Sequence, residues 1–206
     1  MLRVQNYKKH YGSFLVLQIP ELILEEGIYW FKGVNGAGKT TLLKSIAGLI
    51  PFDGEVFVHG FSIRSQRRDY LKIVNYAEAE PLYPAFLTGK DLVDFYLKSK
   101  DGSLEPVNEM ISAFGMSSYL KNQVGTYSNG MAKKLSLLLA FIGHPKLILL
   151  DEPFITLDVE AVAFLHQYIK QFYSSGVSFY ITSHQHLEIN IAYSELHIHN
   201  QKAELL

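Results

Sequence analysis

The chain has 206 residues, 48% of them hydrophobic and 19% charged, and a net charge of −1. That composition describes a globular protein large enough for one sizeable domain, or a core with a smaller insertion, and excludes a disordered chain. The near-neutral balance gives no electrostatic case for a nucleic-acid or anionic-membrane partner; without cysteine there are no disulfides or thiolate metal sites.

Nowhere do about 18 apolar residues run together, so no bilayer span is expected. The start, Met1-Leu2-Arg3-Val4-Gln5-Asn6, lacks the apolar core of a signal peptide, which points to the cytoplasm. Thirteen Tyr and thirteen Phe leave two accounts open, a large core and a greasy patch kept for a partner.

Residues 2–7, 14–17 and 21–24 read as short antiparallel strands. The apolar run Ile28-Tyr29-Trp30-Phe31 then leads into Gly33-Val34-Asn35-Gly36-Ala37-Gly38-Lys39-Thr40-Thr41, and a helical pattern runs from Leu42 to Ala47. Strand, glycine-rich loop and helix in that order form a phosphate-binding loop in its required context. The glycines let the backbone of Asn35, Gly36, Ala37, Gly38, Lys39, Thr40 and Thr41 curl around a triphosphate. Lys39 places a point charge on the β- and γ-phosphates, and the Thr40 hydroxyl is suited to ligate Mg²⁺.

Pro51-Phe52-Asp53-Gly54 makes a turn, and Glu55 to His59 alternates as a strand. Arg64, Arg67 and Arg68 read as a solvated surface, and Ile73 to Ala77 as another strand. Past that the period changes. Thr88-Gly89-Lys90-Asp91 resembles a capping box opening a helix through about Lys98, and Glu105-Pro106 opens a second through about Phe114. A third helix, from Asn129 to about Gly143, is apolar almost all round and so should be buried.

The run Leu147-Ile148-Leu149-Leu150 fits a strand of a parallel sheet covered on both faces. A helix from about Val159 to Tyr173, a strand from Val177 to Thr182 and a closing hairpin from Leu196 to Leu206 complete the chain. The expected class is α/β. A phosphate-loop core with a mainly parallel sheet (1–80 and 145–206) would carry an antiparallel β subdomain at its N-terminus and a helical subdomain inserted at 81–144, the whole forming one domain.

Ligands in open α/β sheets sit beyond the carboxyl ends of the strands, where Asp151-Glu152 and Ser183-His184 fall. Adjacent carboxylates are costly there unless a cation or a reacting water uses them. The economical assignment gives Asp151 to the Mg²⁺ shell and Glu152 to the attacking water as general base, with His184 on the γ-phosphate.

Taken with Tyr127-Ser128-Asn129-Gly130-Met131 and Leu157-Asp158, these motifs resemble the ATP-binding subunit of an ABC transporter, in the right order and over essentially the whole chain. That resemblance implies a Mg²⁺-dependent ATP hydrolase powering a separate membrane permease, held by it at the inner face of the cell membrane. It implies a homodimer or heterodimer sandwiching two ATP molecules, and no nucleic-acid partner. It makes Tyr11 the aromatic that stacks on adenine, and puts Asp158 in the loop that crosses the dimer interface. Ser128 and Gly130 become the signature that caps the γ-phosphate held by the opposite subunit.

The segment from Pro81 to Tyr96, with Tyr83, Phe86, Phe95 and Tyr96, lies where such subunits receive the permease. The chain departs from the family pattern at Asn129 and Met131 of the signature, and it lacks the Gln expected after the strand ending near Ala77. Simple register puts Ala79 there, with Glu78 and Glu80 as the other substitutes. The Met-containing signature resembles subunits paired with exporter-type permeases, among them those for drugs, lantibiotics or haem. The alternatives are a soluble ABC ATPase of DNA repair or translation, which needs a coiled-coil insertion or a second cassette, and a small-molecule kinase, which lacks the signature.

Overall fold

A computed structural model describes residues 1–184 and 191–205. Two sheets face each other across helix α1 (Lys39–Ile46). The first is antiparallel, with the order β2-β1-β4-β5, built from β1 (Leu2–Tyr11), β2 (Phe14–Leu24), β4 (Asp53–Val58) and β5 (Phe61–Ser62). The second has the order β10-β9-β3-β8-β7-β6. Its strands β3 (Ile28–Lys32), β6 (Val74–Ala77), β7 (Leu147–Asp151), β8 (Ser178–Thr182) and β9 (Ser194–His199) are parallel, and β10 (Lys202–Leu205) closes its edge antiparallel to β9.

The period-2 alternation of a strand explains why these runs are apolar throughout. In β3, Ile28 and Trp30 enter a core shared with the helices, while Tyr29 and Phe31 enter a core shared with α1 and the antiparallel sheet. In β7, Ile148 and Leu150 take the first side and Leu147 and Leu149 the second. The helical side is covered by α3 (Gly89–Ser99), α4 (Leu104–Ala113), α5 (Asn129–Ala140) and α6 (Val159–Ser174). Helix α3 opens with the expected capping box: Asp91 N donates to Thr88 Oγ1 at 3.1 Å and Thr88 N to Asp91 Oδ2 at 2.9 Å.

Several local readings change. The two segments expected at 14–17 and 21–24 are one strand, paired along its length with β1 despite Pro20. Helix α5 stops at Ala140, three residues short of the expected end. A short helix, α2 (Arg67–Ile73), begins at arginines read only as solvated surface and takes in Ile73, read as the start of a strand. Its one fully buried anchor is Tyr70, whose hydroxyl donates to Ile46 O at 2.6 Å, so no apolar period announces it. The arginines beside it are structural as well as solvated. Arg64 donates to Phe52 O (2.6 Å) and Gly54 O (2.8 Å), and Arg67 to Gly48 O (2.7 Å), satisfying carbonyls of the connection after α1.

Among the described residues no helix is long and apolar enough to cross a membrane.

Candidate functional site

The loop between β3 and α1 is shaped by three glycines with different reasons. Gly36 (φ +79°) and Gly38 (φ +105°) hold left-handed backbone that side chains resist. At Gly33 the constraint comes from the protein itself: a Cβ there would sit 2.4 Å from the carbonyl oxygen of Ile198 in β9. Helix α1 starts at Lys39, earlier than the Leu42 expected, so Lys39, Thr40 and Thr41 form its first turn, with Gly38 as N-cap and no side-chain cap. Their free backbone N–H groups and the positive end of the helix dipole are available to an anion.

Lys39 is buried, and its ammonium donates to Gly33 O at 2.7 Å and Val34 O at 3.2 Å, leaving one N–H uncommitted. Burial lowers its pKa, with the nearby Glu152 and Asp151 opposing the shift.

Asp151 lies at the end of β7, almost wholly buried and ringed by hydroxyls. Its Oδ1 accepts from Thr40 (3.0 Å) and Thr182 (2.6 Å), and its Oδ2 from Tyr76 (3.1 Å). The next residue, Glu152, has φ +46°, which turns its side chain back toward the loop. Glu152 Oε2 accepts from the backbone N of His184 at 3.2 Å, while Oε1 is buried without a hydrogen bond among the described residues, 3.4 Å from His184 Nε2. Glu152 N donates to Thr182 Oγ1 at 3.0 Å, so one threonine aligns both carboxylate residues.

A cleft of about 420 Å³ joins these parts. Tyr11, Asn35, Gly36, Gly38, Lys39, Thr40, Thr41, Glu152 and His184 all line it. Ala37 does not; it packs toward the core beneath the loop. Phe14 and Val16 also line it and went unnoticed in the sequence, because they become neighbours of the loop only through the β1–β2 hairpin. Tyr11 is 54% exposed, with the Lys9 ammonium 4.6 Å from its ring centroid. Thr182 and Tyr76 were missed too, since only the strand register brings them to Asp151, as in the pairing of Thr182 with Asp151.

Ser128, Gly130 and Asp158 stand apart from this cleft. Ser128 is the N-cap of α5, accepting from Met131 N at 3.2 Å. Asn129 is the first residue of that helix and needs no left-handed turn. Gly130 approaches the next loop, where a Cβ would be 3.1 Å from Thr156 O. Asp158 caps α6 through Ala161 N (2.8 Å) and pairs with Lys134 at 2.6 Å, contacts that lower its pKa.

A larger cleft, about 620 Å³, opens on another side between Leu49, α2, β6, Glu78 and α3. Phe95 (64% exposed) lines it, and Leu82 and Phe86 (73% exposed) stand out from the segment leading into α3. Tyr83 and Tyr96 also line this cleft while packing against the helical core, and burial raises the pKa of both phenols.

The ABC transporter family model matches residues 21–155, from within β2 to the loop after Glu152. This chain belongs to the ABC transporter family. A lantibiotic transport ATP-binding protein of Streptococcus pyogenes is 32% identical over 186 residues, 89% of this chain and 80% of its own length. A linearmycin resistance ATP-binding protein of Bacillus subtilis (strain 168) is 26% identical, covering 98% of this chain and 67% of its own. The fold matches a solved ATP-binding subunit of an ABC transporter with a TM-score of 0.88 at 23% identity, covering 98% of this chain and 88% of that one. As an ABC transporter subunit the chain binds and hydrolyses ATP to power a membrane permease, which sets aside the DNA-repair and translation alternative.

Proposed function

We propose that ATP occupies the 420 Å³ cleft with its adenine on Tyr11 and its phosphates along Asn35 to Thr41. Lys39 supplies the fixed positive charge beside the β- and γ-phosphates. The residues present suit Mg²⁺. Thr40 Oγ1 uses its proton on Asp151, which leaves its lone pairs free for a hard cation and fixes their direction. Among the described residues no cluster of three or more His, Asp or Glu side chains could hold a metal alone. Phosphate oxygens and waters would complete the shell, as suits this ion. Asp151 would thus act on the cation through Thr40. When bound, Mg²⁺ neutralises charge on the phosphates as a Lewis acid.

The observation that carries the reading is the buried, hydrogen-bond-free Glu152 Oε1 beside the phosphate loop. A buried acceptor without a donor is costly, and a water attacking the γ-phosphate would satisfy it while losing its proton to it. His184 stands where it can hold that water or the γ-phosphate. Two such subunits would close on two ATP molecules, with Ser128 and Gly130 at the N-terminus of α5 facing the γ-phosphate of the opposite subunit and Asp158 in the loop between them. A solved dimeric cassette bound to ADP and phosphate shares the fold (TM-score 0.80, 18% identity) and is compatible with that arrangement.

Residues 81–144 would move as the helical subdomain, and the larger cleft would take a cytoplasmic helix of the permease, tethering the subunit to the membrane. The relatives in lantibiotic transport and linearmycin resistance favour an export system.

The test is Glu152→Gln. It should bind ATP normally, lose turnover by about 10²–10⁴-fold, the usual worth of a general base, and accumulate as a dimer with Mg-ATP but not Mg-ADP. Near-wild-type phosphate release would remove Glu152 from the chemistry. Slow release with no ATP-dependent dimer by light scattering would keep the base and overturn the sandwich.

A further inference from the structure

Lys133, one turn into α5, is 1% exposed and makes no ion pair with a side chain among the described residues. Its ammonium donates to Glu78 O (2.8 Å), Ala79 O (3.4 Å) and Asp151 O (2.7 Å). Three N–H groups thus meet three backbone carbonyls from two separate segments. Backbone acceptors cannot swing away as side chains can, so the contact fixes where those segments run. Glu78 is pinned twice more: its N donates to Ser136 Oγ (3.1 Å), one turn further along α5, and its carboxylate lies 3.3 Å from Lys44 of α1.

This arrangement is expensive. Burying an ammonium costs free energy, and the start of a helix is the end that repels positive charge. An apolar side chain could fill the same space, but it could not hold three carbonyls. The segment it grips, Glu78-Ala79, lies within the stretch 78–80 where the resemblance calls for a Gln that this chain lacks.

We infer that Lys133 is a positioning residue for hydrolysis, fastening the helix that starts at Ser128 to the 78–79 segment and to the strand end that carries Asp151 and Glu152. Any shift of α5 as it closes on a nucleotide is passed through Asp151 O to the next residue, Glu152, and through Glu78 to α1 beneath the phosphate loop. The inference rests on the reading of Glu152 as the base.

The test uses the full chain carrying Lys133→Met or Lys133→Gln, with ATP affinity by calorimetry, steady-state phosphate release and thermal midpoint measured together. Lys133→Met should keep ATP affinity within about threefold and lose turnover by at least about tenfold, because the loss falls on the aligned state and not on the binding loop. Lys133→Gln keeps two donors on a shorter arm and should recover part of that loss. Should the Met variant not fold, the Gln variant decides alone: a turnover loss of about threefold or more at unchanged affinity supports the role. Unchanged turnover in a folded variant overturns it. So does a parallel fall in affinity and turnover, the mark of general loosening. Glu152→Gln run alongside separates the two readings: if it hydrolyses normally the base assignment fails, while Lys133 is still judged by its own split between turnover and affinity.

Discussion

The cleft proposed for the nucleotide draws most of its wall from six residues between Asn35 and Thr41 together with Glu152, just past β7, whereas the larger cleft is assembled from α1's end, α2, β6, Glu78 and α3. In the first, polar groups are locked by short contacts: Thr40, Thr182 and Tyr76 on Asp151, and Lys39 on its own loop. In the second, exposed Phe95 stands beside a rim ion pair, Lys72–Asp101 at 2.7 Å, that is open to solvent. Chemistry demands a site already organised before the substrate arrives, while a cleft proposed to dock a partner tolerates a looser rim. The two should therefore fail independently.

The largest effect expected is Lys39→Ala. Losing the only lysine or arginine that lines this cleft among the described residues should weaken ATP binding by about 100-fold or more, on the order of 3 kcal/mol. Calorimetry giving wild-type affinity would show that the loop does not hold phosphate. Next come Phe86→Asp and Phe95→Asp. Both are exposed, so thermal stability and ATP affinity should stay close to wild type, while association with the permease should fall by about 2 kcal/mol if they are interface anchors. Pull-down of the permease at full strength would remove the docking role, and loss of ATP affinity would show that the clefts are not independent. Tyr11→Ala should give the smallest change, about 1 kcal/mol in ATP binding, the low end of base–aromatic stacking for a ring that is half exposed. ADP should suffer equally, because stacking does not sense the γ-phosphate; a defect confined to ATP would refute stacking.

What could be read from the sequence follows the same division. Gly33 to Thr41 was legible because its chemistry is contiguous, and Asp151-Glu152 because a fully apolar strand delivers it. Phe14, Tyr76 and Thr182 were not, since strand pairing alone brings them to the site. Arg64 and Arg67 looked like solvated surface because charge says nothing of which carbonyls lie nearby. Tyr83 looked like docking surface and does line the larger cleft, but its packing against helices distant in the chain could not be read from spacing. Lys133 drew no notice because a lysine on an apolar helix is ordinarily read as its solvent side.

One feature of the sheet bears on how the protein comes into being. Strand β3 carries the phosphate loop, yet its neighbours in the sheet are β8 and β9, and Gly33 nests against Ile198 O. During synthesis from the N-terminus, the loop leaves the ribosome long before β8 and β9 exist to brace it. The antiparallel hairpin of β1 and β2 can form early from local contacts, but the parallel strands must wait for partners far along the chain, the slow class of pairing. The loop is thus encoded with β3 but braced only once β8 and β9 have been made.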